Sequence, residues 1–505
     1  MNMRRFGRPL VAIALVASAQ VISSPEVQAD DTRNRHVIVD SFAEGGISGA
    51  SEIFALPDEQ VQKIINNVET DHLPNRQFCE TLDSLPCAAK TGLSLRIYLP
   101  VCGDSTAELC IESLEVSQNE KSPLTPAKYL STMEGRKYAA DPKRGVPEAS
   151  APSVWQVPGV MNSGKSDKYV VKVLMDAFIS SVNNKLSIFD LNAIVDGDSM
   201  LFETQKVALT LRIPNTLTGW LNGRLTDPRI TVEKFNENQN RIRVEANPVL
   251  VPEVDITLTP EQIAALPNPN FFNTQGITWA SVNAGNPAAI EWIRQLTGAM
   301  KNAASGEHTA WFFSTAGGQV TNQCLADKSR VIGLVTTNSP AYAPGAPEFS
   351  DGSLNYRVGG LHFKPDGKTL NKGTYDLLIR SDVARCLYNL TNAPLSATVS
   401  VSYEGGDQQV ETTILNEKDG WLHLGAYGFT YSTPTLRIKL NGVSASSSPQ
   451  STTSAQPAPT AQAMPGVGVK VQSIQKNKQI LCTKGKVTKK VIGLNPVCPR
   501  GWVKK

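Results

Sequence analysis

Gly159 to Ser166, reading Gly-Val-Met-Asn-Ser-Gly-Lys-Ser, have the G-x-x-x-x-G-K-[ST] spacing of a loop that cradles phosphates. In such a loop, backbone N–H groups and the lysine surround the phosphate oxygens, which requires a buried strand before it and a helix N-terminus after it. The flanking residues predict neither. Pro152 and Pro158 interrupt the stretch before the loop, and Lys168 to Leu174 favours a strand after it. The motif reads as a polar glycine loop feeding a strand. Asp196 and Asp198 flank Gly197 in an arrangement that suits either a calcium ligand pair or a turn. Neither G-x-S-x-G nor H-E-x-x-H occurs, and the five histidines (His36, His72, His308, His362, His423) are scattered. No catalytic residue, metal site or cofactor is assigned, and the chain is not expected to be an enzyme.

The densest chemistry lies at the end of the chain. Residues 469–505 hold nine lysines, Arg500 and no acidic residue, a formal charge of +10. Within this stretch Lys476, Lys478, Lys484, Lys486, Lys489, Lys490, Arg500, Lys504 and Lys505, with Trp502 as a stacking surface, are the candidate contacts to an anionic polymer. Gln479 to Cys482 and Val487 to Ile492 favour β structure around a Lys484-Gly485-Lys486 turn, so a small hairpin module is expected. A Cys482 to Cys498 bond would staple a unit too small to build a core. A solvated charged tail is the alternative.

The other end carries an address. Arg4, Arg5 and Arg8 precede the apolar run Leu10 to Ala19, and Val27-Gln28-Ala29 resembles a cleavage site, so residues 1–29 read as a secretory signal peptide. Because the chain reads as exported, nucleic acid is not expected as a partner, and no later run of apolar residues is long enough to span a membrane. The whole chain is +3, residues 1–29 are +2 and residues 469–505 are +10, which leaves the body at −9. A mildly acidic body thus carries a strongly basic end.

Eight cysteines in an exported chain point to disulfides, and their order favours local pairs among the many possible connectivities: Cys79 with Cys87, Cys102 with Cys110, Cys324 with Cys386, Cys482 with Cys498. Zinc is the rival use, and the absence of C-x-x-C argues against it.

The elements that must carry these residues are mainly β. A disulfide-containing β-rich domain is expected over 30–150, with a helix at Pro57 to Val68 and strands at Leu93 to Pro100 and Glu108 to Val116. Over 151–258 the strict alternation of Val207, Leu209, Leu211 and Ile213, and a hairpin turning at Asn236 to Asn240, predict an antiparallel β-sandwich-like domain. A helical or irregular interlude follows over 259–349, with a capping box at Thr259-Pro260-Glu261-Gln262 and a longer helix at Pro287 to Ala303. A second sandwich-like domain is expected over 350–442, marked by Leu354 to Val358, the Lys364-Pro365-Asp366-Gly367 turn, Tyr375 to Ile379 and Leu395 to Tyr403. Residues 443–468 lack charge and have linker composition, and 469–505 form the basic module.

Several segments carry a resemblance: Cys79 to Cys87, YLPVCGDSTAELCIESLEV, YRVGGLHFKPDGKTLNKGTYDLLIRSDVARCLY, GWLHLGAYGFTYSTPTLRIKL and ILCTKGKVTKKVIGLNPVCP. Together they resemble a family of exported actinobacterial proteins with a basic two-cysteine C-terminal module. The resemblance implies secretion, an actinobacterial source and a portable sorting or attachment module, and it supplies no active site. The expected function is that of a secreted structural or adhesive protein held at the cell envelope by its basic end. The alternative is a carbohydrate-binding protein using Trp421, Tyr427, Phe429 and Tyr431, with a secreted hydrolase third.

Overall fold

The computed structural model describes residues 34–40, 50–65, 76–89, 92–103, 109–119, 121–162, 164–197, 205–215, 217, 219–271, 279–316, 322–325, 330–390, 396–403, 406–409, 412–431 and 435–441, and near the C-terminus 478–484, 487–493 and 503–504. The fold is mainly β, in several sheets with few helices. Two compact units divide the chain, Met1–Ser446 and Ser447–Lys505.

One sheet of thirteen strands runs through the larger unit. Its path is Thr412–Lys418, Trp421–Thr430, Lys372–Arg380, Val331–Thr337, Gly219–Arg224, Phe312–Ala316, Leu186–Gly197, Lys168–Ile179, Gly92–Tyr98, Glu52–Leu56 and Gln77–Phe78, with Lys128–Thr132 and Ser153–Gln156 attached beside Lys168–Ile179. Along this path the neighbours are antiparallel except Gly219–Arg224 and Val331–Thr337, which run parallel. Strands from all four segments between residues 30 and 442 pair within it, so sequence positions 150, 258 and 349 fall between elements of one sheet.

Each half of this sheet is covered on a different face, which makes two sandwiches in tandem. At one end, Leu95, Ile97, Val173, Met175 and Ala193 share a core with Leu114, Val116, Leu209, Leu211 and Val244. The latter belong to a five-stranded sheet in the order Thr226–Lys234, Gln239–Asn247, Val207–Pro214, Cys110–Ser117, Leu124–Pro126. At the other end, Val335, Leu377, Ile379, Leu422 and Leu424 share a second core with Tyr356, Val358, Leu436 and Ile438. Those belong to a six-stranded sheet built on Ser353–Gly359, Thr435–Asn441 and Ser396–Tyr403. Side chains alternate faces along a strand. Leu334 and Leu378 accordingly join the first core while their sequence neighbours Val335 and Leu377 join the second. Where the sheet passes from one core to the other, the Trp220 ring packs directly on Gly333 and leaves no room for a Cβ there.

The local signals act as physics requires. Thr259 caps Pro260–Ala264 with both bonds of the capping box, Gln262 N–H to Thr259 Oγ1 and Thr259 N–H to Gln262 Oε1. Asp366 accepts from Lys368 N and Thr369 N, both at 2.8 Å, while Gly367 takes a left-handed φ of 66°, closing the expected turn. The helix expected to reach Ala303 stops at Leu296. Its continuation instead folds back through turns in which Lys301 and Asn302 are left-handed, and Asn302 Oδ1 accepts from His362 N. The helix packs on the second core through Ala289, Ile293 and Leu296.

The smaller unit contains a three-stranded sheet in the order Val487–Gly493, Lys478–Lys484, Val503–Lys504. Its first two strands form the expected antiparallel hairpin, with Cys482 in register with Lys489 on one side and Lys504 on the other.

Candidate functional site

The strand Lys372–Arg380 carries an ionisable residue where its pattern calls for an apolar one. Asp376 sits between Tyr375 and Leu377 and is 0% exposed. A carboxylate in that position must be compensated by hydrogen bonds, because desolvating it alone costs several kcal/mol, by an order-of-magnitude reckoning of about 5. Four groups supply the compensation. His423 Nε2 lies 2.7 Å from Asp376 Oδ1, and the Tyr427 hydroxyl donates to the same oxygen. Asp376 Oδ2 accepts from Asp227 N at 3.3 Å and Thr226 Oγ1 at 3.4 Å.

Three elements make this arrangement possible. Asp376 and Leu378 share one face of their strand; across the ladder to Trp421–Thr430, Leu378 stands opposite His423 and Asp376 opposite Gly425. A register shift between Gly373 and Thr374 brings Thr374 opposite Tyr427. Thr226 and Asp227 come from the edge strand of the five-stranded sheet, and Asp227 turns with a left-handed φ of 48°. Asp376 is therefore clamped between the two sheets at the place where the first sandwich overhangs the second. Burial raises its pKa, opposed by the hydrogen bonds from His423 and Tyr427 and by the Asp227 amide. Burial also raises the Tyr427 pKa, and the Asp376 charge raises it further, so Tyr427 keeps its proton to donate.

His423 and Asp227 are the members of this group that reach a cavity, and of the two His423 brings a side chain oriented by Asp376. A cleft of about 590 Å³ opens between Thr226–Lys234 and the strands Trp421–Thr430 and Thr412–Lys418, and Leu378, Asn416, Trp421 and His423 line it on the long-sheet side. Facing them are Arg229, Thr231, Glu233, Arg243 and Glu245. The His423 side chain is 14% exposed, and its Nδ1 makes no hydrogen bond to any described residue. The cations here are held by carboxylates. Arg243 binds Glu115 at 2.6 Å and Glu245 at 3.4 Å, Arg229 lies 3.9 Å from Glu245, and Lys418 lies 3.9 Å from Asp419. A histidine oriented by a buried aspartate can give or take a proton, but Thr231 is the one hydroxyl among the described lining residues, and no serine or cysteine joins it.

The residues singled out from sequence are distributed differently. Cys79 bonds Cys87, Cys102 bonds Cys110 and Cys324 bonds Cys386. Cys498 lies outside the described residues, as do Lys476, Lys486, Arg500, Trp502 and Lys505; Lys478, Lys484, Lys489, Lys490 and Lys504 lie on strands of the small sheet. The aromatic cluster is not a surface platform. Phe429 and Tyr431 are buried in the second core, Tyr427 is engaged by Asp376, and Trp421 alone of the four borders the cleft. Asp196 pairs with Lys172 Nζ at 2.9 Å, and Asp198 lies outside the described residues.

The glycine loop at Gly159 is organised by Asn162 and is followed by the strand Lys168–Ile179, with no helix to aim at a phosphate. Asn162 Oδ1 accepts from Ser166 N, and its amide donates to Lys168 O. Among the described residues no cluster of three or more His, Cys, Asp or Glu suits a metal ion, and no helix is long and apolar enough to cross a membrane.

Sequence reading passed over the Asp376–His423 pair, which is 47 residues apart and joined only by the ladder. The one available signal was a lone aspartate inside Thr374-Tyr-Asp-Leu-Leu-Ile379, since a charge at a strand's centre implies a partner. No family model and no curated protein matches the chain.

Proposed function

We propose that this is an exported, envelope-associated structural or adhesive protein whose C-terminal unit docks on anionic cell-envelope polymers. The observation that carries the reading is that the chain divides into two units and the second, Ser447–Lys505, holds ten cations and no acid in its last 37 residues. Disulfides in the body and the signal-like residues 1–29 support export, as does the resemblance to exported actinobacterial proteins. A cationic module meeting an anionic polymer gains from long-range attraction that salt screens, over a Debye length of about 10 Å at 0.1 M. Purified envelopes mixed with the mature chain should sediment it at low salt and release it at high salt. A chain ending at Gly468 should stay in the supernatant at both. Equal sedimentation of the two forms, or indifference to salt, overturns the reading.

A further inference from the structure

We propose that the cleft between Thr226–Lys234 and Trp421–Thr430 is a binding site for an uncharged saccharide, with His423 as its central hydrogen-bonding group and Trp421 as its apolar wall. The cavity, about 590 Å³, lies within the range of roughly 300–1,000 Å³ typical of small-molecule sites and holds a short oligosaccharide unit.

The lining chemistry selects the ligand class. Every cation at the cleft has a carboxylate within 4 Å, so the site offers little net field to a phosphate or carboxylate ligand. What remains is a mixture of donors and acceptors: the exposed Asn416 amide, the outward Arg229 guanidinium, the Glu233 carboxylate and the His423 ring. Sugar hydroxyls both donate and accept, and pair with such a mixture. Trp421 adds a large flat surface for the C–H face of a pyranose, and Arg380 packs 5.9 Å from its ring centre on the neighbouring strand, holding its orientation.

His423 is the preorganised element. Asp376 fixes one ring nitrogen from beneath, and Asp376 is itself fixed by Tyr427, Thr226 and Asp227. The ring therefore loses little freedom when its other nitrogen meets a hydroxyl, and that is how a shallow polar site gains affinity. Asp376 is a positioning residue here; His423, Trp421 and Asn416 touch the ligand.

The test is calorimetric titration of the full mature chain with maltotriose, cellotriose, mannotriose and triacetylchitotriose, each uncharged so that the basic tail contributes nothing. At least one should bind, and Trp421→Ala should weaken that binding at least tenfold. Asn416→Ala and Arg229→Ala, both at exposed positions that leave the cores intact, should each weaken it severalfold, which keeps the proposal testable should Trp421→Ala disturb folding. His423→Gln should weaken binding with the thermal transition retained. Absence of binding to all four sugars overturns the proposal, and so does binding that survives the Asn416 and Arg229 substitutions unchanged. Neither result bears on whether the tail holds the envelope.

Discussion

Leu377 and Leu378 are bonded neighbours that belong to different hydrophobic cores: Leu377 packs with Tyr356 and Leu436 in the second sandwich, and Leu378 with the core of the first. The period of two along a strand separates them, and only a sheet covered on both faces buries both. At Lys372–Arg380, the third strand from one end of its path, the long sheet is such a sheet. Leu377→Ala and Leu378→Ala should each destabilise the protein by about 2–5 kcal/mol. Hydrogen exchange distinguishes them: the first should loosen Ser353–Gly359 and Thr435–Asn441, and the second the Thr226–Lys234 edge. Identical protection losses from both variants would contradict the two-core arrangement.

Asp376→Ala removes the acceptor for His423, Tyr427 and the Asp227 amide together. Stranding these buried donors should cost about 3–5 kcal/mol, whereas Asp376→Asn, which keeps an acceptor oxygen, should cost about half as much. Urea denaturation of the two variants checks the order. A harmless Asp376→Ala would mean that the pair is not clamped as the geometry indicates.

How much of this was legible in the sequence depended on the range of the interactions. Thr259 and Gln262 are three residues apart, and the capping box they form was readable without a fold. The alternation Val207, Leu209, Leu211, Ile213 identified a strand, and the bond between Cys324 and Cys386 is one that sequence order favoured without singling it out among the possible connectivities. The Lys372–Arg380 strand was readable too, but which of its faces met which core was not, because both faces are buried there and alternation carries no contrast. The cleft was invisible for a related reason: Thr226, Asp376 and His423 are assembled by two sheets meeting, and no local pattern encodes that meeting. Helix Pro287–Leu296 ended early because Asn302 is committed to His362, a contact sixty residues away.

A row of charges crosses the long sheet, with Glu52 opposite Arg96, Arg96 opposite Asp176, and Asp176 opposite Asp190. Burial raises the Asp176 pKa to about 6; Arg96 opposes the rise, and Asp190 and Glu52 add to it. Between pH 4 and 6 the folded state then binds more protons at this site than the unfolded state, so stability falls as pH rises through that window and is level above it. Asp176→Asn should remove the fall and leave the variant more stable than the parent by about 2 kcal/mol at pH 7, with little difference near pH 4. Thermal melts at the two pH values decide it; a variant less stable at pH 7 would show that the Arg96 contact outweighs burial.

Cys324–Cys386 closes a far longer loop than Cys79–Cys87, with sequence separations of 62 and 8. Chain entropy makes the longer loop the more stabilising, by about 4 kcal/mol against about 2.5. Replacing both cysteines of each pair with serine and comparing denaturation midpoints tests the ranking. Because Cys386 lies on the helix Ser381–Tyr388, which packs on the second core, loss of the long bridge should also expose that helix to exchange.

Thr435–Asn441, the last described strand of the body, is an interior strand, antiparallel to Ser353–Gly359 on one side and to Ser396–Tyr403 on the other. A tension applied to the chain beyond Asn441 can strip that strand only by breaking two hydrogen-bond ladders, whereas an edge strand gives way with one. A body held through the chain that follows this strand would thus meet load at a segment gripped on both sides.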